Sequence, residues 1–197
     1  MISPFEQVSD ELAAGIRGLE RASQVALFAA AGTALRANYL AWEEASHLPS
    51  HAELLDRTIN QSIAYALGEC GTIDPSLLRE VESATPAESN DVSGYPAAQG
   101  CWIAVDAALR CGLGEFDAAD GAWYLIEPMI QATSERLFGV ADPGSALQWE
   151  SETCALDDPA LRAALAALSE SVETLRPLPI ERRVFEGVIS LLAAIAP

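Results

Sequence analysis

The chain has 197 residues, half of them hydrophobic, and a formal net charge of −18 at pH 7 from 29 acidic and 11 basic side chains. This length and composition are enough for one substantial core, so we expect residues 1–197 to form a single domain. The strong negative charge excludes nucleic acid and anionic membrane surfaces as partners, because both would repel the protein.

Four helices are predicted in the first half of the chain, where apolar residues recur every three or four positions. The third of these helices is expected to begin with a capping box, Ser50-His51-Ala52-Glu53. Thr85 to Ser93 is predicted to be a solvated loop. The predicted helices run from Ser3-Pro4 to about Gly18, from about Ser23 to Pro49, from Ser50 to Gly68 or Gly71, and from Asp74-Pro75 to the loop.

Residues 97–113 are predicted to form the central helix. They are apolar nearly all the way round, which is typical of a helix covered by others. The polar exceptions are Gln99, Asp106 and Arg110, which fall on one stripe at roughly 100° per residue. Asp106 and Arg110 are one turn apart, so we expect them to pair along this edge.

The C-terminal half is predicted to add three helices. The first has the clearest amphipathic pattern in the chain, and Trp123 and Leu137 belong to its apolar stripe with Phe116, Ala119, Ile126, Ile130 and Thr133. Gly139 to Asp157 is a long connection expected to contain a short helix. The last two helices are predicted to begin at Asp158-Pro159 and after Arg176-Pro177-Leu178-Pro179.

These patterns predict an all-α fold, a single helical bundle of seven or eight helices around a central buried helix at about 97–113. No segment shows the sustained period-two alternation of a strand. The four cysteines show no paired spacing and the N-terminus has no signal-peptide pattern, so we expect reduced thiols in a cytoplasmic protein.

A run of short motifs resembles a known family. These motifs are Phe28-Ala29, Arg36-Ala37-Asn38-Tyr39, Leu54-Leu55-Asp56, Gly94-Tyr95-Pro96-Ala97-Ala98-Gln99-Gly100-Cys101 and Asp158-Pro159-Ala160-Leu161. In order along the chain they are similar to the YjaG-like family, small bacterial proteins classed as a domain of unknown function. The resemblance implies an all-helical fold and no known activity. Gln99 stands where the family has an acidic residue, and Ala37 where it has proline.

His47 and His51 are the only histidines, four residues apart and close to several glutamates. Such spacing on one helix can present two metal ligands, but Leu48-Pro49-Ser50 breaks the helix between them, so they are weak metal candidates. No nucleophile elbow, phosphate-cradling loop or dinucleotide fingerprint occurs, and we therefore predict no catalytic residue and no cofactor.

Several aromatic and polar residues are candidates for binding a ligand or a partner. Asn38 and Tyr95 combine polar groups with helix junctions, Tyr39 neighbours Asn38, and Trp149 is the aromatic least explained by a core stripe. The other tryptophans are predicted to lie in the core.

Two functions follow from these observations. The acidic surface has three interpretations: a solvated surface that keeps the protein from associating, a docking face for a basic protein, or mimicry of nucleic acid toward a nucleic-acid-binding protein. The first function is accordingly a non-catalytic helical binding protein whose acidic surface meets a basic protein partner. The alternative is a small-molecule or metal-dependent enzyme with a pocket near the Tyr95-Pro96 junction or the His47/His51 turn. Helical bundles build such sites from scattered side chains, which leaves this alternative open.

Overall fold

The computed structural model describes residues 4–47, 49–84, 95–138 and 154–193. These ranges contain eight helices of at least ten residues and no strand, which confirms the all-α prediction. The helices are α1 (Pro4–Arg17), α2 (Arg21–Ser46), α3 (Ala52–Ala66), α4 (Pro75–Ala84), α5 (Tyr95–Leu113), α6 (Ala118–Phe138), α7 (Pro159–Thr174) and α8 (Arg182–Ala193). The predicted loop at 85–93 lies outside the described residues, as does the connection at 139–153. Cys154 to Leu156 are helical.

The predicted central helix is confirmed as α5, which packs against α2, α3, α4 and α6. Its buried residues include Cys101, Trp102, Val105 and Leu109, each at most 2% exposed. The core is nevertheless shared with α2, whose residues 25–32 are all buried, and α2 with α5 forms the most extensive helix pair. Gly32 permits this contact, because a Cβ there would lie 2.9 Å from Cγ2 of Val105.

The polar edge of α5 is formed as predicted. Gln99, Asp106 and Arg110 are half-buried, and Nε of Arg110 donates to Oδ2 of Asp106 at 2.7 Å. Nη2 of Arg110 also donates to Oε1 of Glu82 on α4 at 2.5 Å. This second bond ties α4 to the edge of the central helix, which sequence spacing did not indicate.

The predicted apolar stripe of α6 is wrong at three positions, since Ala119, Trp123 and Leu137 are all exposed. Trp123 and Leu137 are each 40% exposed. The buried face is instead formed by Ala118, Ala122, Leu125, Ile126, Ile130 and Thr133. Gly121 lies on this buried face against the rings of Phe28 and Phe116, and Trp123, two positions later in the helix, lies toward solvent.

The predicted capping box of α3 is also wrong. The residue before the helix is His51, which makes no side-chain capping bond. The Ser50 oxygen accepts from the backbone N–H of Ala52 at 3.3 Å rather than from that of Glu53, and its hydroxyl donates to Glu43. The start of α7 is confirmed, since Oδ1 of Asp158 accepts from the backbone N–H of Ala160 at 2.9 Å and of Leu161 at 3.1 Å.

None of the helices in the described ranges combines the length and apolar character that crossing a bilayer requires.

Candidate functional site

The junction between α2 and α3, which we call the joint, holds a buried acidic side chain, Glu43, which is 7% exposed. Its Oε1 accepts from the Tyr39 hydroxyl at 2.9 Å and from the His51 backbone N–H at 2.6 Å. Its Oε2 accepts from the Ser50 hydroxyl at 2.6 Å. The carboxylate therefore ties the last turn of α2 to the chain entering α3.

The protonation states of this joint follow from its contacts. Burial by itself would raise the pKa of Glu43, but the bonds donated by Ser50, His51 and Tyr39 outweigh it and leave the pKa lowered. Burial and the adjacent carboxylate raise the pKa of Tyr39. At neutral pH, Glu43 is therefore an anion and Tyr39 a neutral hydroxyl. Neither carries a proton poised for transfer near pH 7, which a general acid or base needs.

Aromatic rings close the joint on its inner side. The Tyr39 ring stacks on Trp102 of α5 with centroids 5.5 Å apart and planes at 28°. The His51 ring lies against the same indole with centroids 6.0 Å apart. Tyr39 and Trp102 are 1% and 2% exposed, so the stack belongs to the core and anchors both helices on α5.

The two histidines occupy different environments. His47 ends α2 in the left-handed conformation with φ of 55° and is exposed, whereas His51 is half-buried against Trp102. Among the described residues, no group of three or more histidine, cysteine, aspartate or glutamate side chains is placed to hold a metal ion. His47 thus ends α2, and the contacts described for His51 belong to the α2–α3 joint.

The remaining predicted site residues are placed only in part. Asn38 is half-buried on α2, one position before the buried Tyr39. Tyr95 begins α5, but its side chain lies outside the described residues, and Trp149 falls in the segment 139–153, also outside them. Of the predicted residues, the structure brings together Tyr39 and His51, through Glu43 and Trp102.

Glu43 was missed from the sequence because it is one of 29 acidic residues and sits beside Glu44, which is exposed. Helical spacing gives the one available signal. Glu43 is one turn after Tyr39 and so shares its buried face.

The four cysteines are free. Cys101 and Cys111 are buried, and burial raises the pKa of each thiol to about 12. The Cys101 thiol donates to the Gly32 carbonyl at 3.3 Å. Both side chains are therefore protonated packing groups, because nucleophilic cysteines need a lowered pKa.

The main feature of the protein surface is the pairing of its arginines with carboxylates. All 11 basic residues are arginines. Nine of them form ion pairs within the described part of the chain: Arg17, Arg36, Arg57, Arg110, Arg136, Arg162, Arg176, Arg182 and Arg183. Most positive charges are thus paired with carboxylates of the same chain, and the unpaired charge on the surface is mainly negative.

Comparison of the chain with known protein families, with curated proteins and with solved structures finds no match.

Proposed function

We propose that the protein is a non-catalytic binding protein whose acidic surface docks a basic protein partner. The observation that carries this proposal is the pairing of nine of the 11 arginines with carboxylates of the same chain. Local neutralisation of the cations leaves a surface whose field is negative and attracts a positively charged protein from a distance.

The chemistry of the α2–α3 joint supports the same proposal. The Tyr39 hydroxyl donates to the Glu43 carboxylate, so each group has a hydrogen-bond partner. The buried thiols of α5, Cys101 and Cys111, are protonated. A small-molecule or metal-dependent enzyme at the Tyr95-Pro96 junction or the His47/His51 turn receives no support from these contacts and stays a prediction. If such a site exists, a ligand or metal raises the melting temperature, and His47→Ala or Tyr95→Phe abolishes that rise.

We also propose a cytoplasmic location and a place among the bacterial YjaG-like proteins. Four free cysteines support the location, because thiols stay reduced in that compartment. The all-helical fold is the one that the resemblance implies, and residues 95–101 of the motif lie in the central helix.

The test is capture from an extract of the host cell at low salt, with identification of bound chains by mass spectrometry. The purified partner is then mixed with the protein in stopped flow at increasing ionic strength. We expect a specific basic protein whose association rate falls steeply with salt, while its dissociation rate changes little. Recovery of chaperones alone, or an association rate that does not change with salt, contradicts the proposal.

A further inference from the structure

An open groove with a volume of about 580 Å³ lies between α3 and α4. It is lined by Leu54 of α3 and by Ser76, Arg79, Glu80 and Ser83 of α4, and we call it the Arg79 groove. Ser76, Arg79 and Ser83 are three and four residues apart, so they share one face of α4. The volume lies within the range of ligand-binding clefts.

Arg79 differs from the other arginines in its contacts. Nine of the 11 form ion pairs, and Arg21 and Arg79 are the two that form none within the described ranges. The Arg21 guanidinium lies over Gly114 at the end of α5, where a Cβ would be 3.1 Å from its Nη2. Arg79 is exposed and lines the groove, so its guanidinium is placed to bind an anion from outside the chain.

Two carboxylates lie near Arg79, and both have closer partners. Glu80 forms an ion pair with Arg57 of α3. Oδ1 of Asp74 accepts from the backbone N–H of Ser76 at 2.8 Å, and the Ser76 hydroxyl also donates to this carboxylate. These bonds, with weaker attraction from Arg57 and Arg79, lower the pKa of Asp74. The four charges cancel, so the groove is locally neutral in a chain of charge −18.

The serine hydroxyls of the groove offer hydrogen-bond acceptors. The Ser83 hydroxyl donates to the carbonyl oxygen of Arg79 at 2.7 Å, and the Ser76 hydroxyl donates to Asp74. A hydroxyl has one O–H and two lone pairs, so each serine oxygen keeps the capacity to accept. The groove therefore combines a cation with acceptors for N–H donors.

We propose that the Arg79 groove binds an extended peptide segment that carries a carboxylate side chain. The guanidinium binds the carboxylate through paired hydrogen bonds, and peptide N–H groups donate to the serine oxygens. Ser76 and Ser83 are seven residues apart, which is about 10 Å along the helix or about three residues of extended peptide. An apolar side chain of the peptide packs against Leu54 on the opposite wall.

A phosphate group fits this groove less well than a carboxylate. It carries about −1.5 to −2 charges and needs several donors, whereas among the lining side chains Arg79 alone is left to donate. The inference goes beyond the proposed function, because the segment in the groove is acidic and its binding does not require a basic partner.

The test is an NMR titration of the whole ¹⁵N-labelled protein with a five-residue alanine-based peptide that has leucine second and glutamate third. Both ends are blocked, so glutamate carries its only charge, and the control peptide has glutamine instead. Salt at about 0.15 M screens the distant carboxylates of the protein. The Nε–H signal that disappears in Arg79→Gln is the signal of Arg79.

We expect the glutamate peptide to shift the Arg79 signal and to bind at least about fivefold more tightly than the glutamine peptide, since hydrogen bonds to charged groups are the stronger ones. Arg79→Gln should remove this preference. Arg183→Gln makes the same change in charge at a side chain that is 83% exposed, and should keep it.

A second pair of variants tests the hydroxyl acceptor. Ser83→Ala should weaken binding of the glutamate peptide about threefold, because one acceptor for a peptide N–H is lost. The matched control is Ser169→Ala on α7, whose hydroxyl donates to the Leu165 carbonyl in the same arrangement, at 3.1 Å. This control should bind the peptide normally.

The outcomes separate this inference from the proposed function. Equal binding of the two peptides, or equal losses from Arg79→Gln and Arg183→Gln, overturns the inference and leaves the proposed function standing, since neither peptide carries a positive charge. Sodium acetate that shifts the Arg79 signal at the same concentrations as the peptide assigns the groove to a bare carboxylate and overturns the peptide. An Arg79 signal that moves with protein concentration alone assigns the groove to a second copy and overturns it as well.

Discussion

Glu43 shows at the scale of single residues how a buried charge is retained in a helical core. A buried carboxylate is costly unless hydrogen-bonded, and Glu43 accepts from Tyr39, Ser50 and the His51 backbone. These bonds lower its pKa below the ordinary value of 4.5. Glu43 therefore stabilises the fold fully above that value, and this stability is lost as the pH falls through the lower folded-state pKa.

We predict that Glu43→Gln lowers the free energy of unfolding at neutral pH by about 1–3 kcal/mol, because an amide replaces one of the two acceptor oxygens and leaves a buried donor without a partner. The difference from the unaltered protein should narrow as the pH falls below the ordinary value of 4.5 and the carboxylate loses its charge at its lowered pKa. Urea unfolding at neutral pH and at a series of acidic pH values measures it.

The control for this prediction is Glu44→Gln, the exposed neighbour on the same helix. This change should leave the free energy of unfolding nearly unaltered at neutral pH. Equal costs for the two substitutions would show that the hydrogen bonds of the joint do not contribute to stability.

Gly121 marks the place where two aromatic rings meet α6. A Cβ at this position would lie 2.5 Å from Cε1 of Phe116 and 2.6 Å from Cζ of Phe28. The two rings form an edge-to-face pair with centroids 5.3 Å apart. Because both rings are rigid, neither can move away from an added methyl group without disturbing the pair.

We predict that Gly121→Ala lowers the free energy of unfolding by about 1–3 kcal/mol through overpacking. The same change at Gly187 on α8 should raise it by up to about 1 kcal/mol, since no atom lies within 4 Å of the added Cβ and alanine favours the helix. Thermal or urea unfolding of both variants tests the opposite signs. If both substitutions change the free energy of unfolding in the same direction, contact with the two rings does not determine the effect of a methyl group at position 121.

At the scale of helices, an ion pair contributes to the way α3 lies against α2. Arg36 of α2 and Asp56 of α3 form a two-point contact, with Nη2 to Oδ2 at 2.6 Å and a second bond from Nε to Oδ1. The side chains are 36% and 42% exposed, so solvent screens part of the attraction. The fixed fork geometry nevertheless specifies the direction of contact between the two helices.

We predict a coupling energy of about 0.5–1 kcal/mol between Arg36 and Asp56 in a double-mutant cycle with Arg36→Met and Asp56→Asn. The control cycle uses Arg183 and Glu181, whose side chains are 83% and 59% exposed. This control pair should show coupling near zero. Stronger coupling in the control pair would contradict the role given to two-point geometry.

At the scale of the whole molecule, the net charge of −18 acts against the compact state. Like charges repel more strongly when the chain is folded, and the local ion pairs offset this only in part. Dissolved salt screens the long-range repulsion, whereas contacts at about 3 Å are shorter than the screening length.

We predict that the melting temperature rises by several degrees as salt increases from about 0.01 M to about 0.3 M, because screening weakens repulsion across the molecule. Scanning calorimetry in sodium chloride and in potassium chloride measures the change. Equal effects of the two salts identify screening. A melting temperature that falls with salt would mean that the ion pairs outweigh the net repulsion.

The sequence by itself determined the helices and which of them is central. Apolar residues at helical spacing fix a buried face, and proline or glycine fixes an end, because these signals act within a few residues. The pairing of Asp106 with Arg110 was predictable for the same reason, since one turn of one helix brings them together.

Only the tertiary structure decided what depends on contacts between distant segments. Glu43 is buried because the chain folds back from α2 into α3 and brings Ser50 and His51 to its carboxylate. Trp123 is exposed because Gly121 lies against Phe28 and Phe116, and this contact sets the rotation of α6. The apolar stripe of a helix specifies a range of rotations, and the fit of small residues against rigid rings selects one of them.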